Sequence, residues 1–230
     1  MRPPDAKVES IGLHACALSQ GLGLQKFRQQ KSKSSSSRRN DPFTNEFYVS
    51  RYDDDVQNMT DDGWEELGRD ISNNTHLKNV YLNEAAKIPF FFRGLTRSNT
   101  IKYMHFDENG LSTAGVLSMV PFLQNANNLL ELELTDNNIQ SEGFNAMFRA
   151  LSDSPIEALH CDNCGIEAIE IDRNYVPKCL TTLRLKGNRI NAGGCRGVAA
   201  LLQGANSMLG KLFLCNNDIN DDGVEHRWRF

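Results

Sequence analysis

Residues 129–139 read LLELELTDNNI, and the same frame returns as LTTLRLKGNRI at 180–190 and LGKLFLCNNDI at 209–219. Each copy has apolar residues at its first, fourth and sixth places, Asn at the ninth and Ile at the eleventh. IKYMHFDENGL at 101–111 keeps the frame, with Met104 and Phe106 in the apolar places. LKNVYLNEAAK at 77–87 keeps the first half, then puts Ala85 in the Asn place and Lys87 in the Ile place. IEALHCDNCGI at 156–166 fits with Cys164 standing for Asn. The copies start at 77, 101, 129, 156, 180 and 209, so the steps are 24 to 29 residues. A period of that size marks units that bury their apolar faces against one another in a stacked array.

The middle of each copy alternates apolar and polar residues with period two, which predicts a short strand whose apolar residues point inward. A second phased feature follows. Gly115, Gly143, Gly194 and Gly223 each come six residues after the Asn, where they let a helix start pack closely against its own repeat. Ser112, Asn191 and Asn220 stand three residues after the Asn, at helix N-cap places, while the repeat at Leu129 has Gln140 and then Ser141. The pattern predicts helices over 143–154 and 194–207. The repeat at Ile156 has Glu170 in the Gly place and Pro177 soon after, which predicts an irregular outer segment. Upstream, VSRYDDDVQNM at 49–59 fits as a degenerate first repeat, with Gln57 in the Asn place, Met59 in the Ile place and Gly63 in phase. That register turns Asp54 inward, and makes 63–72 the helix of a capping repeat in which Trp64 packs.

These motifs resemble the leucine-rich repeat superfamily, and in particular its long-repeat, ribonuclease-inhibitor-like class. The repeats are similar to those of NOD-like receptors and the Ran GTPase-activating protein. The resemblance implies an α/β horseshoe solenoid, with a parallel sheet on the concave side, helices on the convex side, and about six repeats after the degenerate one. It also implies a structural ladder, in which Asn109, Asn137, Asn188, Asn217 and, in its variant form, Cys164 bond the backbone of neighbouring turns. Residues 43–230 form the repeat domain. Residues 1–42 form a basic, Ser-rich tail too poor in apolar residues to order itself. Residues 1–40 carry a net charge of +6 and the remainder −10.

His160, Cys161 and Cys164 raise the question of a metal or redox centre. The repeat frame gives a simpler account. Cys161 takes an inward strand place and Cys164 the ladder place, while His160, between inward positions, is expected to face solvent. A zinc site of this kind needs a second ligand pair at suitable spacing, so no metal or cofactor is expected.

Solenoids bind through their concave surface, and the register predicts its occupants. The candidate contact residues are Tyr81, Tyr103, His105 and Asp107, then Glu131, Glu133, His160 and Asp162, then Arg184, Lys186, Lys211 and Phe213. Aromatic residues lead, acids fill the middle and bases close the row, a mixture suited to steering and anchoring a protein partner. No nucleophile with an adjacent base and no phosphate loop is legible, so the expected function is a non-enzymatic interaction scaffold. The alternative is a regulator of a small GTPase. Nucleic-acid binding is expected only through the basic tail. The start of the chain lacks a signal-peptide pattern and no apolar run is long enough for a membrane span, which predicts a cytoplasmic or nuclear protein. The chain stops partway into its last helix, which predicts an uncapped edge open to self-association.

Overall fold

The protein is seen here as a computed structural model describing residues 45–50, 58–171, 175–202 and 208–219. The tail, Asp54 and Gln57, and the last eleven residues with Asn220 and Gly223 lie outside the described residues.

Among the described residues, seven strands form one parallel sheet in chain order. They are β1 (Glu46–Ser50), β2 (Asn79–Asn83), β3 (Tyr103–His105), β4 (Glu131–Glu133), β5 (Ala158–His160), β6 (Thr182–Arg184) and β7 (Lys211–Phe213). The register is as the repeats predict: Val80, Met104, Leu132, Leu159, Leu183 and Leu212 pair in one line across the sheet. All but Leu212 are buried.

The first repeat differs from its predicted register. β1 pairs Phe47 with Val80 and Val49 with Leu82, so the inward places belong to Phe47 and Val49, not to positions 52 and 54. Met59 is buried, as the frame expects, and Thr60 caps the following helix. The repeat therefore carries five additional residues between strand and cap. An aspartate at an inward place would cost desolvation without a partner, whereas Phe47 and Val49 bury apolar surface there.

The helices are α1 (Asp61–Ser72), α2 (Ile88–Gly94), α3 (Thr113–Leu123), α4 (Gln140–Ala150) and α5 (Ala192–Leu202). Thr60, Ser112 and Asn191 accept the N–H of Gly63, Gly115 and Gly194 at their first turns. α4 has no such cap. Instead Ser141 Oγ accepts the N–H of Glu167 and of Ala168 from the next repeat. Gly194 needs its missing Cβ, which would stand 2.6 Å from Glu167 O and 2.8 Å from Ile190 Cγ2. Gly68 of α1 and Gly94 of α2 bring two helices into close approach. A Cβ on Gly68 would lie 2.1 Å from Phe91 O, and one on Gly94 1.9 Å from Glu65 O. Two helix backbones thus touch through paired glycines. Trp64 is fully buried and packs in the core.

Two repeats depart as expected. After β2 the chain curls into a 3-10 turn, Ala85–Lys87, before the short α2. Between β5 and β6 no helix occurs among the described residues, and Glu170 N donates to Asn145 of α4.

Side chains at the ninth place of the repeats form a ladder along the turns. Asn137 Oδ1 accepts the N–H of Asn109 and Leu111, while its Nδ2 donates to Phe106 and Leu134 carbonyls. Asn188 Oδ1 accepts the N–H of Cys164 and Ile166, and Asn217 Oδ1 that of Ile190. Cys164 supplies the donor half, Sγ to Leu134 O at 3.1 Å. The residue before each ladder place turns the chain out of the strand at positive φ: Glu108 51°, Asp136 59°, Asn163 53°, Gly187 64° and Asn216 60°. Asn, Asp and Gly tolerate that conformation best. The ladder ends at Asn109. Its Nδ2 donates to Leu82 O, but its buried Oδ1 has no partner, because the preceding repeat bends into the 3-10 turn.

Candidate functional site

Alternation sends two cross-strand rows of side chains to the open face of the sheet. One row runs Glu46, Asn79, Tyr103, Glu131, Ala158, Thr182, Lys211. The other runs Tyr48, Tyr81, His105, Glu133, His160, Arg184, Phe213. Nine of the twelve predicted contact residues lie in these rows. Asp107, Asp162 and Lys186 sit just past the strand ends.

The first part of the face is aromatic. Tyr81 and His105 stack with centroids 4.5 Å apart, and Tyr48 tilts against Tyr81 at 6.0 Å. Tyr48 is 52% exposed and Phe213, at the far end of the same row, 41%. Burial, followed by the carboxylates of Glu46 and Glu131, pushes the Tyr81 hydroxyl above its ordinary range. Tyr48 lies outside the predicted set because the repeat frame puts the first repeat at 49–59. The available signal was EFYVS at 46–50, whose Phe and Val alternate with period two.

The middle of the face is a linked acid–imidazole cluster. His160 Nδ1 lies 2.5 Å from Glu133 Oε2 and 3.9 Å from Glu131 Oε1. His160 is therefore not a free solvent-facing group: its side chain is 15% exposed and engaged. Burial pushes the Glu133 carboxyl up, but hydrogen bonds from His160 and Thr135 outweigh it and hold the carboxyl below its ordinary range. Glu131, Glu133 and His160 each offer a ligand atom within 4.8 Å of the others, a geometry that could hold a metal ion.

Asp162 is corrected from its predicted role. Its side chain is 5% exposed and accepts Arg184 Nε at 3.0 Å, Arg184 Nη2 at 2.5 Å and the Lys186 N–H at 2.8 Å. A carboxylate satisfied three times positions Arg184 rather than meeting a partner. Asp107 remains exposed, Lys186 is half-buried and Lys211 is exposed.

Cys161 is fully buried, and burial followed by Cys164 raises its thiol well above the ordinary value. This is an inert, protonated core thiol, not the thiolate of a redox centre. Two clefts of about 450 Å³ and 460 Å³ open at the loop ends of the strands, beside Asn109 and Asn163 respectively, and not on the strand face. The strand face is open surface.

Residues 125–147 and 176–199 match the family described as leucine rich repeat. The segments contain β4 with the first turns of α4, and β6 with most of α5. No curated protein matches the chain. With the in-register seven-stranded parallel sheet, the architecture is that of a leucine-rich-repeat solenoid, a class that commonly mediates protein–protein interaction. No helix among the described residues is long and apolar enough to cross a membrane.

Proposed function

We propose that the strand face docks a protein partner and that the molecule serves as a non-enzymatic interaction scaffold. The observation that carries this reading is the ordered pair of cross-strand rows, with exposed rings at both ends and a fixed set of charges between them. Rings on rigid strands lose little side-chain entropy on binding, and charges locked by neighbours are preorganised. Tyr81, Tyr103, His105, Glu131, Lys211 and Phe213 are the contacts this reading relies on, joined by Tyr48. The ribonuclease-inhibitor-like class of the repeats and a cytoplasmic or nuclear location belong to the same proposal.

The test is a crosslinked pull-down from native extract, comparing the wild type with a Tyr48→Ala, Tyr103→Ala, Glu131→Lys, Phe213→Ala variant. A partner held by the wild type and lost by the folded variant supports docking on this face. Equal capture by both overturns it. Regulation of a small GTPase would need an arginine free to reach the nucleotide. Arg184 is tied to Asp162, and nothing else on the strand face favours that reading. An unchanged GTP hydrolysis rate across a GTPase panel would exclude it.

A further inference from the structure

We infer that Glu131, Glu133 and His160 form a binding site for a divalent transition cation of the zinc type. The inference is independent of protein docking.

Strand geometry assembles the donors. Glu131 and Glu133 are residues i and i+2 of β4 and so share one face. β5 pairs His160 directly with Glu133. Three donors from two hydrogen-bonded strands therefore converge without help from any loop. Their present spacings, 2.5 Å and 3.9 Å from Nδ1 to the two carboxylate oxygens, bracket what a metal requires. A tetrahedral ion with bonds of about 2.0–2.2 Å separates its ligand atoms by roughly 3.4 Å. One gap opens by less than about 1 Å and the other closes by about half of that, within the reach of side-chain torsions.

The charges point the same way. Among the described residues neither glutamate pairs with Lys or Arg; each has only His160 within ion-pair distance. The next cation along the row, Arg184, is already held by Asp162. Two carboxylates carry a charge that a dication cancels. The mixed N,O donor set suits zinc-type ions, whereas Ca²⁺ and Mg²⁺ prefer all-oxygen shells with more ligands. Thr135 N–H donates to Glu133 Oε1 at 3.3 Å and steadies that carboxylate, the kind of outer contact that metal ligands rely on. The side chains are 15–30% exposed, so an ion can enter. Ala158, the cross-strand neighbour of Glu131, is too small to cover the site, which leaves a fourth position open to water or to a group brought by another molecule.

The test is a zinc titration of the full chain, with Cys16, Cys179 and Cys215 changed to Ser so that their thiols do not compete. A competing chromophoric chelator reports binding, Mg²⁺ serves as the contrasting ion, and no protein partner is present. The expected result is one zinc per chain with a Kd of about 1 µM or tighter, no Mg²⁺ binding, and weakening of at least about tenfold in Glu131→Gln and in His160→Gln. X-ray absorption of the zinc-loaded protein should show only N and O neighbours, which is independent of whether any variant folds. Absence of stoichiometric binding, binding unchanged in both variants, or sulfur in the absorption spectrum would overturn the site and leave His160 as a hydrogen-bonded partner of Glu133 alone.

Discussion

At the scale of single residues the ladder is a graded device. Asn137 uses both ends of its amide, accepting two backbone N–H groups and donating to two buried carbonyls. Cys164 in the equivalent place offers one weak donor. Asn137→Ala should therefore cost about 1–3 kcal/mol and Cys164→Ala about 1 kcal/mol, read from denaturant midpoints; the reverse order would contradict the ladder account. Glu133 carries a pH signature. Its carboxyl is held below its ordinary value of 4.5 in the folded chain. A lowered folded pKa contributes stability that is fully present above the unfolded value and is lost as pH falls through the folded one. Thermal melts should show stability falling below pH 4.5, with a shallower acid-side slope in Glu133→Gln. The strand-face rows were legible because period two fixes which residues point outward. The fate of Asp162 was not, since its register place said nothing of the guanidinium and backbone N–H that bury it. His160 and Glu133 occupied the same column of the repeat frame, so their contact could have been drawn from the alignment itself.

At the scale of elements, two glycines in similar helices have opposite meanings. Gly68 touches the backbone of α2, and the Cβ of an alanine there would meet Phe91 O at 2.1 Å. Gly143 of α4 would place its Cβ no closer than 3.5 Å to any neighbour. Gly68→Ala should destabilise by about 1–3 kcal/mol through overpacking, whereas Gly143→Ala should stabilise by roughly 0.5 kcal/mol through helix propensity. Calorimetric midpoints moving in opposite directions would confirm the contrast. In the sequence Gly143 stands in the repeat phase and Gly68 does not, but neither letter says what its helix touches. Only the neighbouring helix separates them. The first strand shows the matching limit. Met59 and Gly63 gave the correct phase for α1, yet carrying that phase backwards missed β1, because five additional residues intervene.

At the scale of the whole molecule, the sheet is continuous and the outer layer is not. α1 packs on α2, α2 on α3 and α3 on α4, but the repeat that follows α4 supplies no helix among the described residues. The backbone there is held by side chains of α4, with Ser141 binding two amides and Asn145 a third. Hydrogen exchange should show the consequence. Ser141→Ala should speed exchange at Glu167 and Ala168 while β4 and β5 keep their protection, because stability in a stacked array is set by nearest neighbours. Equal loss of protection in the strands would instead mean that the outer segment and the sheet open together. The glycine contact between α1 and α2 has a last consequence, for inheritance. An α-helix advances by about 100° per residue, so one inserted residue ahead of Gly68 would swing it off Gly94 and bring a larger side chain against Phe91 and Leu95. The contact thus acts as a gauge of length. The first two repeats can change their letters, but they can gain or lose residues within these helices only in compensating pairs.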